Sequence, residues 1–119
     1  MHILFVEDDD RLQTIVIEML AMLGHTVVMA RSSERALSQF EVRRFDVLLA
    51  DARLPGMSGI ELAAALTQRD PDLAVLFTAG EGYLKSPPLP FPFALLAKPF
   101  YFADLRGALE RLAKDRSML

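Results

Sequence analysis

The chain has 119 residues, 52% of them hydrophobic, and no cysteine, which suits one compact domain with a real core in a reducing compartment. Its formal net charge of -3 argues against a nucleic-acid or anionic-membrane surface, because both need clustered Lys and Arg. The first residues lack the pattern of a cleaved signal peptide, and no apolar run approaches the roughly 20 residues of a membrane span. We therefore expect a soluble, cytoplasmic protein with no nucleic-acid or membrane partner.

Short apolar runs alternate with amphipathic helical patterns along the chain. This alternation is typical of βα units around a parallel sheet, and strands covered on both faces should be nearly continuous in apolar character. The five predicted strands are Ile3 to Val6, Thr26 to Ala30, Phe45 to Ala50, Ala74 to Phe77 and Phe93 to Ala97.

The first two predicted helices follow the first two strands. The first carries apolar residues at positions i, i+3, i+4, i+7, i+8 and i+11 and ends at Gly24. These residues are Leu12, Ile15, Val16, Met19, Leu20 and Leu23. The second helix should begin near Ser32 or Ser33, and its predicted buried face consists of Ala36, Leu37 and Phe40.

A third helix should begin near Ser58, because Ser58 and Glu61 have the spacing of a capping box. The last predicted helix has the apolar face Leu105, Ala108, Leu109 and Leu112.

The connection between the fourth and fifth strands, "GEGYLKSPPLPFPF", is rich in proline where a crossover helix would be expected. Each proline removes a backbone donor, so this fourth helix should be short or degenerate. One hypothesis is that residues 86–92 form an unusual partner or dimerisation surface, and the alternative is a loop packed on the sheet.

Polar residues leave four of the strands at their carboxyl ends. Glu7 and Asp8 leave the first, Asp51 ends the third, Thr78 the fourth and Lys98 the fifth. Ligands of open parallel sheets bind outside this edge. We therefore expect three carboxylates, one hydroxyl and one ammonium to converge there.

That combination suits phosphoryl chemistry. Neighbouring carboxylates repel one another unless a proton or a cation compensates, and a hard divalent ion is the usual solution. Mg²⁺ on Glu7, Asp8 and Asp51 would keep coordination positions for water and a phosphoryl oxygen. Asp51 can then act as a nucleophile toward phosphorus, while Thr78 and Lys98 stabilise the other phosphoryl oxygens.

Four motifs resemble the receiver domains of two-component response regulators, in that family's order: "VEDD", "DVLLADARLPGMSG", "FTAG" and "KPF". The resemblance covers essentially the whole chain and implies one receiver domain over residues 1–119. It also implies an α/β fold, a doubly wound five-stranded parallel sheet with the flavodoxin-like strand order 2-1-3-4-5. Such a domain is not an enzyme in the usual sense, since it catalyses only its own phosphoryl transfer and dephosphorylation.

Carried over position by position, the resemblance implies that Asp51 is the phosphoacceptor and Asp8 a direct Mg²⁺ ligand. Glu7 corresponds to the acidic neighbour that reaches the metal through water, and the backbone carbonyl of Arg53 to a further ligand.

The resemblance likewise makes Thr78 the switch hydroxyl and Lys98 the phosphate-binding lysine, followed by Pro99 across a commonly cis peptide. The natural phosphoryl donor is a phosphohistidine on a sensor histidine kinase or a histidine phosphotransfer domain, so neither His2 nor His25 is needed. Output would pass to a downstream protein partner, and a homodimer is a further candidate assembly.

Two features keep other functions open. Leu95 stands three positions before Lys98, where the family usually has an aromatic residue coupled to the switch hydroxyl. This departure and the proline-rich connection favour the alternative of a degenerate receiver, a phosphorylation-independent protein-interaction module.

A haloacid-dehalogenase-type phosphohydrolase also uses an aspartyl nucleophile with Mg²⁺, but it needs an acidic residue two positions later, where this chain has Arg53.

The chain ends shortly after Lys114 without a DNA-binding module. We expect either a single-domain regulator or a receiver cut from a larger protein, such as a hybrid kinase.

Overall fold

The structure, a computed structural model, describes residues 1–80 and 88–117. Strands and helices alternate along most of this part of the chain. They are β1 (His2–Val6), α1 (Asp10–Met22), β2 (Thr26–Ala30), α2 (Ser33–Val42), β3 (Val47–Asp51), α3 (Gly59–Arg69), β4 (Ala74–Ala79), β5 (Ala94–Ala97) and α4 (Phe102–Ser117). All four strand pairings are parallel, in the order β2-β1-β3-β4-β5. The predicted fold class and strand order are confirmed.

Two strands near the centre of the sheet differ in extent from their predictions. β3 begins at Val47 instead of Phe45, and β4 continues past Phe77 to Ala79. The extension follows from the ladder, because Ala52 N donates to Thr78 O (2.9 Å). Thr78 therefore lies inside β4, paired in register with Asp51.

The sheet separates two hydrophobic layers, as expected for strands buried on both faces. One layer lies against α2 and α3, and its buried helix residues are Ala36, Leu62, Ala63 and Leu66. The other lies against α1 and α4, and its buried helix residues are Val16, Leu20, Leu105, Ala108 and Leu109. Both layers pack on the same sheet, and the carboxyl ends of its parallel strands lie at one edge.

The buried face of α1 agrees with the predicted stripe except at Ile15, since Val16 and Leu20 belong to the core and Leu12, Met19 and Leu23 pack against it. Gln13, Val16 and Leu20 are its buried residues, whereas Ile15 is 49% exposed. The inclusion of Ile15 in the buried stripe was therefore wrong. The helix turns inward on Gln13 because that amide donates a hydrogen bond to the carbonyl of Glu7.

The predicted capping box at the start of α3 is confirmed. Glu61 N donates to Ser58 Oγ (3.1 Å), and Ser58 N donates to Glu61 Oε1 (3.2 Å). These two bonds satisfy backbone donors that a helix start leaves without a partner, and they fix where the loop after Asp51 ends.

Residues 88–93 form no helix, which confirms the prediction for the described part of the connection, whereas residues 81–87 lie outside the described residues. Leu89 and Phe91 pack against the layer under α2 and α3, and the ring of Phe91 lies 6.4 Å from that of Phe77. This part of the segment packs on the sheet, as the loop hypothesis expected.

Gly59, the first residue of α3, lies directly against the backbone of Asp51. A Cβ atom at Gly59 would be 2.0 Å from Asp51 O, and Gly59 N donates to Ala52 O (3.2 Å). No side chain fits between the end of β3 and the start of α3.

We predict that Gly59→Ala lowers the free energy of unfolding by about 2 kcal/mol or more, because backbone must move to admit the methyl group. Urea denaturation measures the change. Gly107→Ala is the matched control, since its Cβ would meet only the Arg111 side chain at 3.4 Å. Because Gly107 lies in mid-helix, the free energy of unfolding of that control should rise by roughly 0.5–1 kcal/mol. A similar effect at both glycines would contradict the close contact between Gly59 and Asp51.

Candidate functional site

The carboxyl edge of the sheet brings three acidic side chains together. Carboxylate oxygens of Glu7, Asp8 and Asp51 all lie within 4.8 Å of one another. Glu7 and Asp8 follow β1, and Asp51 ends the neighbouring strand β3. The adjacency of these two strands therefore creates the cluster.

Glu7 is the most buried member, with 1% of its surface exposed. Its Oε2 accepts hydrogen bonds from the backbone N–H groups of Asp8 (3.1 Å) and Asp9 (3.2 Å), and its Oε1 accepts one from Lys98 Nζ (3.1 Å). Burial raises the pKa of the Glu7 carboxyl above its ordinary value, and the hydrogen bond and charge of Lys98 offset only part of this effect.

Lys98 bridges two of the carboxylates. Its Nζ lies 2.7 Å from Asp51 Oδ2 and 3.1 Å from Glu7 Oε1. Burial by itself lowers the pKa of Lys98, but the hydrogen bonds and charges of Asp51 and Glu7 outweigh it, so the pKa is raised. The side chain is therefore a charged ammonium between Glu7 and Asp51. The peptide bond to Pro99 is cis, as the family resemblance implied.

Asp51 and Asp8 differ in their hydrogen bonding. Asp51 Oδ1 accepts from Arg53 N (3.0 Å), and Oδ2 accepts from Lys98. Asp8 is exposed, and within residues 1–80 and 88–117 its carboxylate has no hydrogen-bond or ion-pair partner. Asp8 is thus the carboxylate most available to an incoming cation.

Thr78 lies beside Asp51 with only 2% of its surface exposed. Among the described residues its Oγ1 atom has no hydrogen-bond partner. A buried hydroxyl without a partner costs free energy, and such an atom at a ligand site marks a position where a ligand can supply the missing bond.

The acidic residues next in the chain lie outside the cluster. Asp9 is the N-cap of α1 and accepts from the backbone N–H groups of Arg11 and Leu12. Asp10 forms an exposed ion pair with Arg31. Both side chains therefore have structural roles in the described part of the chain, as helix-start residues often do.

The histidines and Leu95 also lie apart from the acidic cluster. His2 Nδ1 is 2.7 Å from Arg44 O, and His25 Nδ1 is 2.9 Å from the amino group of Met1. Leu95, on β5, is paired in register with Phe77 and is 38% exposed. No buried aromatic side chain occupies this position.

Three supporting residues escaped the sequence analysis. Gln13 bonds to the turn after β1, Ser33 Oγ donates to Ser58 O (3.3 Å), and Glu34 Oε1 accepts from Met57 N (3.3 Å). The last two tie the start of α2 to the loop after β3. A signal existed only for Gln13, which lies three residues before Val16 and seven before Leu20 on the buried stripe.

The residues present fit a hard divalent cation. Three carboxylates face one ammonium, and oxygen ligands with uncompensated negative charge are those that Mg²⁺ prefers. The exposed Asp8 gives such an ion access from solvent.

Within the described ranges, no helix is long and apolar enough to cross a membrane.

Comparisons with known proteins agree on one family. The profile of the response regulator receiver domain matches residues 3–86. The response regulator receiver protein CpdR of Brucella abortus is 32% identical over 114 residues, which cover 93% of this chain and 95% of CpdR. A receiver domain protein of Clostridium thermocellum superposes with a TM-score of 0.90 at 25% identity, covering 98% of this chain and 97% of that one.

Longer relatives contain a similar segment. The transcriptional regulatory protein AfsQ1 of Streptomyces coelicolor is 34% identical over 77 residues, which are 65% of this chain and 34% of AfsQ1. This chain therefore spans about a third of the length of that relative.

We predict that Thr78→Val raises the free energy of unfolding by roughly 1 kcal/mol, because it replaces a buried hydroxyl without a partner by a methyl group of similar shape. Urea denaturation without Mg²⁺ measures the change. Thr67→Val is the control, since its hydroxyl donates to Ala63 O (2.7 Å) and the substitution should give no gain. Equal losses at both sites would show that the Thr78 hydroxyl has a partner.

Glu7 should give the protein a characteristic pH dependence. Its folded-state pKa lies above the ordinary 4.5, so its contribution to stability is fully present below about pH 4.5 and is lost as the pH rises through the raised value. The stability of the wild type relative to Glu7→Gln should therefore fall as the pH rises above about 4.5. Urea denaturation in Mg²⁺-free buffers measures this difference, and a constant or rising difference would contradict the assignment.

Proposed function

The chain belongs to the response regulator receiver domain family, and we propose that Asp51 accepts a phosphoryl group from a phosphohistidine donor. The donor would lie on a sensor histidine kinase or a histidine phosphotransfer domain. The observation that carries this proposal is the cluster of Glu7, Asp8 and Asp51 at one edge of the sheet, with Lys98 bridging Glu7 and Asp51.

In the proposed transfer, a carboxylate oxygen of Asp51 attacks phosphorus. A P–O bond forms and the P–N bond to the donor imidazole breaks. The electron pair of the broken bond stays on the imidazole nitrogen, which takes up a proton. Asp51 suits this role because it ends β3, where backbone pairing with β4 and the Arg53 N–H hold its carboxylate in place.

Glu7, Asp8 and Asp51 would hold Mg²⁺, together with the backbone carbonyl of Arg53. When bound, this ion supplies positive charge that offsets the repulsion between the carboxylates and an incoming phosphoryl group. The residual negative charge of the cluster and the free carboxylate of Asp8 support this assignment.

Lys98 and Thr78 are suited to recognise the phosphorylated state. The Lys98 ammonium already contacts Asp51 Oδ2 and needs only a small movement to reach a phosphoryl oxygen on the same side chain. Thr78 Oγ1 is a buried donor without a partner among the described residues, so a phosphoryl oxygen would satisfy it. Both new bonds favour one of two conformations and shift the population between them.

The receiver domain would extend over residues 1–119. β5, Lys98 and α4 follow residue 86, where the family match ends, and β5 and α4 supply Leu96, Leu105, Ala108 and Leu109 to one hydrophobic layer. The domain would pass its signal to a downstream protein partner or through a homodimer.

A second candidate function is a protein-interaction module that acts without phosphorylation. Two observations favour it. Leu95 is exposed and stands where the family usually has the aromatic residue that responds to phosphorylation, and residues 88–93 form no helix. The complete set of phosphoryl-binding side chains favours the first proposal.

We predict that intact-mass spectrometry after incubation with acetyl phosphate and Mg²⁺ finds a single phosphoryl adduct on the wild type. The adduct should be absent without Mg²⁺ and on Asp51→Asn, since an amide is a poor nucleophile. Asp72→Asn, the same change at an exposed loop residue before β4, is the matched control and should be labelled like the wild type.

An adduct on Asp51→Asn at this site would overturn the choice of phosphoacceptor. A folded wild type that binds Mg²⁺ but gains no adduct would favour the interaction module.

A further inference from the structure

The turn that carries Glu7 and Asp8 accepts a hydrogen bond from a buried amide side chain, that of Gln13. Gln13 is 5% exposed, and its Nε2 donates a 2.5 Å hydrogen bond to Glu7 O. On the other side of the same residue, Glu7 N donates to Ala30 O at the end of β2 (3.1 Å). The backbone of Glu7 is thus fixed by α1 and β2 together.

Arg31 and the Glu7 carbonyl together set which way the Gln13 amide faces. Its Nη1 donates to Gln13 Oε1 (3.4 Å), and its Nη2 forms the ion pair with Asp10. A guanidinium has only donors, so the amide oxygen must face Arg31 and the amide nitrogen must face Glu7. The network therefore runs from an exposed arginine on the β2–α2 connection to the carbonyl of the acidic turn.

The position of the Asp8 carboxylate depends on this turn more than the positions of the Glu7 and Asp51 carboxylates do. The Glu7 carboxylate is held by Lys98 and by two backbone donors, and that of Asp51 by Lys98 and Arg53 N. The Asp8 carboxylate has no partner in the described residues, so the backbone of the turn alone sets its position.

We propose that Gln13 is a positioning residue for the divalent cation: its hydrogen bond to the Glu7 carbonyl places the Asp8 carboxylate where the ion binds. The inference rests on the proposed Mg²⁺ site. Groups that hold metal ligands in place commonly contribute a factor of about 10 or more to metal affinity, and Gln13 acts here through the backbone between Glu7 and Asp8.

Isothermal titration with Mg²⁺ tests the role directly. Gln13→Met keeps the length and neutrality of the side chain but removes the donor, so the Kd should rise by about tenfold. At saturating Mg²⁺, its rate of phosphorylation by acetyl phosphate should equal that of the wild type. An effect confined to Mg²⁺ affinity separates positioning from general damage to the fold.

Arg31→Met gives an independent test, because simple electrostatics and the proposed role of Gln13 predict opposite changes in the Kd for Mg²⁺. Removal of a cation near the acidic cluster should by itself tighten Mg²⁺ binding, whereas the loss of the group that orients Gln13 should weaken it. We expect weaker binding. Arg35→Met is the matched control, because Arg35 lines the same cavity beside β2 and makes no hydrogen bond to Gln13. Its Kd should not rise.

A wild-type Kd in Gln13→Met would overturn the inference, as would a weaker Kd accompanied by a slower rate at saturating Mg²⁺. If Gln13→Met does not fold, Arg31→Met decides: weaker binding supports the role, and equal or tighter binding overturns it. A wild type that binds no Mg²⁺ would instead overturn the proposed function itself.

Discussion

The repulsion among three carboxylates at one edge of the sheet is the constraint on which the site depends. Strand order creates it, because β1 and β3 are neighbours and deliver Glu7, Asp8 and Asp51 to the same place. One ammonium, that of Lys98 directly after the edge strand β5, contacts two of them. The remaining negative charge is the property that a bound cation can use, so the fold gives up some stability at the position where a ligand needs charge.

The surrounding structure restricts how the cluster can relax. The capping box at Ser58 fixes the start of α3, Ser33 and Glu34 bind the loop after β3, and Gln13 holds the turn after β1. The backbone segments that carry the acidic side chains therefore cannot simply move apart to lower the repulsion. Thr78 adds a buried hydroxyl without a partner in the described residues, so charge and hydrogen-bonding capacity are both left for a ligand.

The sequence predicted the parts of this arrangement that follow from local pattern. Apolar runs and helical periodicity gave the strands, their parallel arrangement placed Asp51 and Lys98 at one edge, and the spacing of Ser58 and Glu61 identified a cap. Periodicity gives the direction of the buried face of a helix but not its width, which is why Ile15, at the margin of the stripe, proved half exposed. The Gln13 contact depends on how α1 packs under the turn, and the bond from Glu34 to Met57 joins residues 23 positions apart, so no local pattern could reveal it.

The contact between Gly59 and Asp51 gives the site a second kind of support, one that does not depend on ionic strength. Dissolved salt screens the attraction of a partly exposed ammonium for carboxylates, but it does not change the room available between two stretches of backbone. At high salt, the charge of the cluster is partly screened, the short Lys98 contacts least because they are partly buried, while the backbone of Asp51 stays in place against α3. The position of Asp51 and the charge around it can therefore be varied separately, the first by steric change and the second by the composition of the solvent.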